Sequence, residues 1–412
     1  MKFCGIVCEY NPFHNGHKYQ IESIRKSTDA DIIVCVMSGN FVQRGEPAIF
    51  DKFTRTKMAL SSGADIVIEL PTIYATSSAE YFSTGAVSLL NNLNCIDYLS
   101  FGIETDNYSL LERIADLLSC EPESYKEKLK SELRKGLSFP VARSNAIKSE
   151  LKKEINEQSI EELLKEPNNT LSIEYLKSIK KLNSSIIPVP IKRIGPGYNS
   201  KEIVNEYASA TAIRSLLHDN KIKEIKNIVP SETYDLIKEN IQNGKYPMSL
   251  SNFEKELLFK LRTMTKEEIM LLPDVKEGLD NLILSSLNNN YTLQEILEYI
   301  KSKRYTLTRV QRLLIHALLG TNSSLIEKNK ETPKYARILG VSKKGKKALS
   351  IVSKKSSIPL ITSVSNFMKK ASSEQKEMLE QDVLATNIYN LGYEIPNHRL
   401  MNEDYTYPLI TF

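Results

Sequence analysis

The first apolar segment of the chain, residues 3–7, is followed by a polar turn and then by a helical pattern over residues 16–25. That turn contains His14 and His17, two of only five histidines in 412 residues. A strand that passes through a tight turn into a helix is the usual opening of a parallel α/β fold. Because the first N–H groups of a helix lack partners and carry partial positive charge, the turn also predicts an anion site.

The spacing of the two histidines favours binding of a nucleoside triphosphate. Residues three apart project from one side of a first helical turn, so the rings of His14 and His17 can reach phosphate oxygens together. Gly16 has no side chain and lets a base or ribose lie close to the backbone. None of these residues is a covalent nucleophile, so we predict stabilisation of charge on the α-phosphate and departing pyrophosphate. Two surface histidines at a helix cap are the alternative, and the preceding strand favours the functional interpretation.

The first hundred residues alternate apolar runs with helical patterns. The runs at 31–37, 65–70 and 96–101 are typical of strands buried on both faces, and the patterns at 51–61 and 79–91 indicate helices between them. We therefore predict an α/β fold with a Rossmann-like parallel sheet. Ligands bind at the carboxyl ends of such strands, so the histidine turn should share one rim with 38–40 and 101–102.

A second phosphate-binding pattern lies at residues 209–214. The segment 105–182 is helical in pattern and rich in Lys and Glu, and 186–190 predicts a further strand. Ser209 or Thr211 can then cap a helix over 212–217. Arg214 falls in its first turn, where a cation opposes the helix dipole unless an anion binds there. An ordinary capped helix with a solvated arginine is the alternative.

The remaining sequence predicts a helical region and a basic α/β unit. Helical patterns fill 220–325, and strands near 334–339 and 358–361 flank a helix near 344–352. We predict three domains: a catalytic domain at 1–219, a helical domain at 220–330 and a basic C-terminal unit at 331–412. Residues 333–370 contain ten Lys and Arg but no Asp or Glu, which predicts a surface for a phosphate backbone. A lysine-rich soluble surface is the alternative.

Composition excludes several classes of protein. No apolar run approaches the roughly 18 residues of a membrane helix, and the start of the chain lacks a signal-peptide pattern, so we expect a cytoplasmic protein without membrane partners. The five cysteines lie in or near apolar segments without partners at zinc spacing. We expect Cys4 and Cys8 to be reduced core thiols, and we predict no metal ligands in the chain.

Three long strings of the chain, residues 5–17, 37–48 and 63–71, resemble the bacterial tRNA(Met) cytidine acetate ligases. Shorter strings at 100–102, 167–169, 192–195 and 303–306 share the resemblance, which spans almost the whole chain. The wider superfamily is the nucleotidyltransferases of the α/β-phosphodiesterase type. Their second signature resembles 209–214, except that Ala210 replaces a serine, which puts the number of hydroxyl groups at the phosphate in doubt.

The resemblance implies a two-step reaction. ATP and acetate would give acetyl-adenylate and pyrophosphate, and the acetyl group would pass to N4 of the wobble cytidine of elongator tRNA(Met). Acetate has no leaving group of its own, so making AMP its leaving group fits the chemistry. The enzyme must then neutralise the β- and γ-phosphates and hold an in-line geometry.

The resemblance also assigns site residues. We expect the phosphates to be handled by Mg²⁺ together with His14, His17, Lys18, Thr211 and Arg214, although Lys18 can equally be a solvated helix residue. The ATP contacts carry over to Val7, Cys8, Glu9, Tyr10, Asn11, Pro12, Phe13, His14, Asn15, Gly16, His17, Lys18, Tyr19, Gln20, Gly102, Asn169 (favoured over Asn168), Arg193 and Ile194.

The sequence gives fewer indications of the residues that bind acetate, cytidine and RNA. Asn40, Arg44, Glu46 and Lys52 are candidates to line the acetate or cytidine pocket, with a structured loop as the alternative. The basic C-terminal residues and a helix over 301–312 would hold RNA phosphates, which position the RNA without specifying its sequence. Tyr305 can stack on an unpaired base or be a half-buried helix residue.

Two other functions remain open from the sequence. A small-metabolite adenylyltransferase explains both phosphate motifs but leaves nearly 200 further residues and the basic stretch unexplained. A non-catalytic RNA-binding protein on this scaffold has no need of the two histidines or of Thr211 and Arg214. Exchange of pyrophosphate into ATP separates them: the ligase needs acetate, the metabolite enzyme needs another acceptor, and the binding protein shows none.

Overall fold

The computed structural model describes residues 1–152, 156–195, 202–276, 278–302, 305–330 and 332–412. Within these residues, eight strands form one sheet in the spatial order β7-β6-β3-β2-β1-β4-β5, with β8 also paired to β6. The strands are β1 (Phe3–Cys8), β2 (Ile32–Ser38), β3 (Ile66–Leu70), β4 (Tyr98–Ile103), β5 (Ile187–Lys192), β6 (Ala336–Val341), β7 (Leu360–Ile361) and β8 (Ile410–Thr411).

The first five strands are parallel, which confirms the predicted α/β fold. Helices α1 (Asn15–Ser27), α2 (Lys52–Ser61) and α3 (Ala79–Asn92) belong to the crossovers between them. β2 is buried along its whole length, and its alternate side chains enter two different apolar cores. A strand covered on both faces must be apolar at every position, which explains the continuous run in the sequence. Residues 101–102 lie inside β4 rather than after it.

The segment predicted to be helical before β5 contains five helices, which pack on one another and on the sheet. The last of them is α4 (Pro167–Lys181), and the others are Tyr108–Cys120, Glu123–Arg134, Phe139–Leu151 and Glu157–Lys165. A two-stranded hairpin, Ile203–Val204 with Tyr207–Ala208, then precedes α5 (Ala210–His218).

Helices also account for most of 220–330. They include α6 (Leu307–Leu319) together with Ile222–Ile225, Ser231–Gln242, Leu250–Phe253, Glu254–Thr263, Lys266–Met270, Leu279–Asn289, Leu293–Ile300 and Ser323–Asn329. The helix predicted over 301–312 is wrong in its start, because α6 begins at Leu307. Lys303 and Arg304 of the predicted helix lie outside the described residues.

The C-terminal segment contributes three strands to the main sheet. β6 pairs antiparallel with β3, and the short strands β7 and β8 pair parallel with β6. The helices of this segment are α7 (Lys343–Lys355), Val364–Met368, Ser373–Leu391, Pro396–His398 and Glu403–Thr406. The predicted catalytic domain and the predicted C-terminal unit thus share one sheet, and the domain boundaries at 219 and 330 stay a prediction.

Four buried charges join these two parts of the chain. Nζ of Lys52 lies 2.7 Å from Glu69 and 2.9 Å from Asp404, and Arg337 contacts the same two carboxylates at 2.9 and 2.7 Å. All four side chains are at most 5% exposed. Two cations and two anions in one closed cluster satisfy each other, so the charges can be buried together.

Two expectations from composition concern reduced core thiols and membrane-spanning helices. Cys4, Cys8, Cys35 and Cys95 are buried as free thiols and Cys120 is exposed. Across the described residues, no helix combines the length and apolarity needed to cross a membrane.

We predict that Lys52→Met lowers the free energy of unfolding by about 3–5 kcal/mol, because it leaves Glu69 and Asp404 short of a cation in the interior. Urea unfolding measures this change. Lys57→Met, on the same helix but partly exposed and without an ion pair in the described residues, should change stability by less than about 0.5 kcal/mol. Equal effects of the two substitutions would contradict the structural role of the cluster.

Candidate active site

The two motif histidines are fixed by main-chain N–H groups at the start of α1. His14 is the N-cap residue, and its Nδ1 accepts a hydrogen bond from the Gly16 N–H at 3.1 Å. Nδ1 of His17 accepts from the His14 N–H at 3.2 Å, and the two rings stack with centroids 3.7 Å apart. Because Nδ1 accepts in both rings, the proton of each neutral imidazole belongs on Nε2. The turn therefore presents two N–H donors.

Both rings are held in the neutral form. The pKa of His14 is lowered to about 3, chiefly by burial and also by the nearby guanidinium groups of Arg193 and Arg214. Burial also lowers the pKa of His17 well below its usual range, assisted by His14 and Arg193. Two neutral N–H donors beside the two arginines favour binding of an anion, because an anion would offset the repulsion between the two guanidinium groups.

Gly16 lines the cavity and also makes room for a neighbouring ring. A Cβ atom at this position would lie 2.9 Å from Cε1 of His14. The missing side chain therefore makes room for the His14 ring to fold back over the helix start, where its Nδ1 receives the Gly16 N–H.

Arg55 of α2 is fully buried and clamps the turn before α1. Its guanidinium donates to the carbonyl groups of Glu9 at 2.6 Å, Ser38 at 3.1 Å and Phe50 at 2.9 Å, and also to that of Gly39. The carbonyls of Glu9, Ser38 and Gly39 follow or end β1 and β2, so one side chain fixes the carboxyl ends of two neighbouring strands.

A cavity opens above this clamp, between the carboxyl ends of β1 and β4. The strand order reverses at this point, since β2 and β3 lie to one side of β1, and β4 and β5 to the other. Such a switch point is where open α/β sheets bind ligands. The predicted residues that line the cavity are Val7, Cys8, Glu9, Tyr10, Asn11, His14, Gly16, His17, Tyr19, Gln20, Gly102, Arg193, Ile194 and Arg214.

Six predicted residues lie outside the lining. Phe13 is packed in the apolar core, and Lys18 is exposed. The Asn15 side chain donates to the carbonyls of Glu206 and Asn227, which ties α1 to distant loops. The remaining three are Pro12, Asn169 and Thr211.

Arg214 enters the cavity from α5. Ser209 is the helix cap, since its Oγ accepts from the Ala212 N–H at 3.0 Å, and the helix begins two residues earlier than predicted. Arg214 therefore lies one residue beyond the first turn. Its guanidinium donates to the Asn11 carbonyl at 3.0 Å and to Oγ1 of Thr211 at 3.2 Å, so Thr211 orients the arginine.

The structure separates the two asparagines at the start of α4. Asn168 lines the cavity and donates to Glu104 at 2.8 Å. Asn169, which the sequence favoured, is 1% exposed and faces the protein interior. Its Oδ1 accepts from the main-chain N–H groups of Glu104 and Thr105, and its Nδ2 donates to the Leu163 carbonyl. Asn169 thus holds the loop after β4 in place.

Several lining residues were missed by the sequence. They come from β4, β5, the hairpin before α5, three helices and one loop, and only a position near a strand end or helix start marked some of them, as it did residue 101. They are Gln43, Phe82, Phe101, Leu171, Tyr175, Ile191, Lys192, Tyr207, Ala208 and Ala210.

The polar loop after β2 is a structured loop, and none of its four candidate pocket residues lines the cavity. Asn40 is buried, with Oδ1 accepting from the Lys52 N–H at 2.7 Å, and Lys52 belongs to the buried charge cluster. Glu46 accepts from Gln311 of α6 at 3.0 Å, and Arg44 is half-buried. Gln43 of this loop does reach the cavity, and its main-chain N–H donates to Glu9 at 2.9 Å.

The candidate RNA-binding residues are divided between different edges. Lys343 and Lys344 begin α7 beside Asp65 and Asp31, the residues that precede β3 and β2, so they lie at the edge opposite the cavity. Tyr305 is buried, and the Arg309 guanidinium lies 5.3 Å from its ring centroid, which favours the alternative of a buried residue over stacking on a base.

No three His, Cys, Asp or Glu side chains within the described part of the chain are arranged to hold a metal ion.

The chain is similar to known proteins over almost its whole length. A family model described as HIGH Nucleotidyl Transferase matches residues 1–404. Proteins of Acetivibrio thermocellus and Halothermothrix orenii, both named tRNA(Met) cytidine acetate ligase, are 44% and 41% identical and are matched over 100% of this chain and at least 99% of theirs. Crystal structures of Thermotoga maritima TmcAL, one apo and one bound with alpha-thio ATP, superpose with TM-scores of 0.96 and 0.95 at 34% identity over 100% of both chains.

We predict that His14 makes stability depend on pH. The unfolded chain protonates this residue near pH 6.5, whereas the folded chain keeps it neutral to about pH 3. The unfolded state binds more protons in this window, so the free energy of unfolding should fall by about 1 kcal/mol between pH 7.5 and 5.5 on account of His14. Urea unfolding of His14→Asn, which keeps a helix-capping side chain, should show a shallower pH dependence. An unchanged slope would contradict the depressed pKa.

The two asparagines of α4 give a matched pair. Asn169→Ala should lower the free energy of unfolding by about 2–3 kcal/mol, because two main-chain N–H groups lose their acceptor. Asn168→Ala should leave stability within about 1 kcal/mol and weaken ATP binding several-fold. Thermal unfolding and calorimetric titration with ATP measure the two effects, and a reversed pattern would assign the nucleotide contact to Asn169.

Proposed function

The chain belongs to the tRNA(Met) cytidine acetate ligases, and from that membership we propose that it uses ATP and acetate to acetylate N4 of the wobble cytidine of elongator tRNA(Met). The observation that carries the proposal is the pair of Nε2–H donors of His14 and His17, which face a cavity at the switch point of the sheet. Arg193 and Arg214 complete a cationic surround for an anion.

We assign the phosphates of ATP to the start of α1. The partial positive charge at the helix start and the two imidazoles both favour phosphate oxygens. Arg214, anchored on the Asn11 carbonyl, approaches the same turn from α5. Lys18 is exposed and outside the lining, so its predicted catalytic role rests on the family resemblance alone.

The nucleoside is assigned to the β4 side of the cavity. A Cβ atom on Gly102 would lie 3.3 Å from Cγ of Arg193, so this glycine keeps the space between β4 and the segment after β5 open. Phe101, Asn168 and Ile194 surround that space with apolar area and an amide. A purine ring is favoured there because stacking and amide contacts suit its face and its edge.

The first step forms acetyl-adenylate. A carboxylate oxygen of acetate attacks the α-phosphorus of ATP in line with the bond to the β-phosphate. That bond breaks, and pyrophosphate leaves with the electron pair. Charge grows on the bridging and equatorial oxygens in the transition state, where fixed donors from His14, His17 and Arg214 stabilise it.

The second step transfers the acetyl group. N4 of cytosine attacks the carbonyl carbon of acetyl-adenylate, the bond to the phosphate oxygen breaks, and AMP leaves while the nitrogen loses a proton. The amine is weakly nucleophilic because its lone pair is delocalised into the ring, and the mixed anhydride supplies the needed reactivity. The amine is presented by splaying the base out of a single-stranded loop.

Mg²⁺ is proposed to arrive with the nucleotide. Mg²⁺ is usually held by one or two carboxylates together with substrate phosphates rather than by a dedicated protein cage. The described residues offer no such cage, so we assign no step of the reaction to a protein-bound metal.

We predict that the protein transfers labelled acetate to elongator tRNA(Met) in the presence of ATP, and not to the same tRNA with a substituted wobble cytidine. Without tRNA, it should exchange labelled pyrophosphate into ATP only when acetate is present. His17→Ala should slow both reactions about a hundredfold, since one donor to the developing charge is lost. His398→Ala, a substitution away from the cavity, is the control.

Two outcomes would overturn the proposal. Exchange that ignores acetate but responds to a small metabolite would favour a metabolite adenylyltransferase. Binding of tRNA without any exchange would indicate a non-catalytic RNA-binding protein.

A further inference from the structure

One face of α6 carries three residues with cationic or imidazole side chains that the reaction described above does not use. Arg309, Arg312 and His316 are spaced three and four residues apart, so they form one stripe along the helix. The stripe begins at the half-buried Arg309 and leads inward to His316, which is 2% exposed.

Arg312 is the unusual member of the stripe. Its side chain is only 8% exposed, yet it makes no hydrogen bond or ion pair with any residue that the structure describes. Its Nε is enclosed without a partner. The terminal nitrogens are not among the enclosed atoms, so they keep an opening to solvent. A buried guanidinium without an acceptor is costly, and such a cost is usually associated with a missing ligand.

The neighbours of Arg312 leave a local excess of positive charge. The Arg309 guanidinium stacks on Tyr305 and donates to the Asp274 carbonyl at 2.7 Å, which fixes its position. The Asp274 carboxylate is the acidic group that acts electrostatically on Arg312, and the described residues show no ion pair between the two. Burial lowers the pKa of His316 to about 4, so this residue is neutral and the positive charge of the stripe comes from the two arginines. The stripe is thus preorganised for an anion.

The stripe is next to the active-site cavity. Gly45 packs on the main chain of α6, where a Cβ atom at this position would lie 2.2 Å from the main-chain nitrogen of Arg312. Gln311 donates to Glu46 from the same turn. Gln43, two residues before Gly45, lines the cavity, and two residues span at most about 7 Å between Cα atoms. One short turn therefore separates the cavity from the stripe.

We propose that Arg312, assisted by Arg309, binds a backbone phosphate of the tRNA next to the nucleotide whose base enters the cavity. This inference rests on the proposed function. The lysines that begin α7 lie at the opposite edge of the sheet, so they are remote from the reacting base. A stripe that opens at the surface one short turn away from the cavity suits a polymer lying across the protein.

The test uses the full-length protein with Arg312→Met, which removes the charge while keeping a long apolar side chain. Arg262→Met, the same change at an exposed arginine of another helix, is the control. For each protein, tRNA affinity is measured by fluorescence titration at several salt concentrations, together with thermal stability, acetate-dependent pyrophosphate exchange and inhibition by added pyrophosphate.

We expect Arg312→Met to weaken tRNA binding about tenfold at physiological salt, as for the loss of one charge-assisted contact. The slope of log affinity against log salt concentration should become shallower by about 0.7, the value for one phosphate in a single strand. The melting temperature should stay the same or rise, because a buried charge without a partner is removed.

Other outcomes overturn the proposal and distinguish it from the proposed function. Unchanged tRNA affinity and salt slope, with a lowered melting temperature, would make Arg312 structural. Unchanged tRNA affinity with weaker inhibition by pyrophosphate would assign the stripe to a small phosphate. If the wild-type protein itself shows neither acetate-dependent exchange nor tRNA binding, the proposed function fails first.

Discussion

The candidate active site depends on one buried guanidinium, that of Arg55. A charge in the interior must be satisfied, and this one is satisfied by four main-chain carbonyls instead of a carboxylate. Burial lowers the pKa of Arg55 from its ordinary value. The guanidinium nevertheless stays charged, because the ordinary pKa of arginine is very high. Since three of those carbonyls end or follow two adjacent strands, the clamp sets where the turn before α1 begins. The orientation of His14 and His17 follows from that turn.

The C-terminal segment supports the same clamp by holding the start of α2. Arg337 and Asp404 close a charge cluster with Glu69 and with Lys52, the first residue of α2. Arg55 lies one turn further along α2, so the helix that positions the clamp is itself fixed by residues near the end of the chain. This linkage explains why strand β6 belongs to the main sheet. Its Arg337 completes the buried charge cluster that holds the start of α2, independently of any contribution to RNA binding.

The sequence predicted the features that have a local cause. Continuous apolar runs located β1 to β4 because strands covered on both faces allow nothing else, and the histidine turn was evident because its residues are adjacent in the chain. Features that depend on distant partners were missed. The polar residues Asn40 and Lys52 resembled pocket residues, but their partners from elsewhere in the chain bury them. Asn168 and Asn169 are neighbours, and only the helix geometry decides which one faces the cavity. Nothing in residues 334–339 reveals that this strand would pair antiparallel with β3.

The central claim is that His14 and His17 donate from Nε2 to the phosphates of ATP. A crystal structure of this protein with a non-hydrolysable ATP analogue tests it most directly. The account predicts phosphate oxygens about 3 Å from both Nε2 atoms, the usual N–H to oxygen distance, with the nucleoside beside Gly102. Phosphates bound away from the start of α1, or rings turned so that Nδ1 faces the nucleotide, would contradict it.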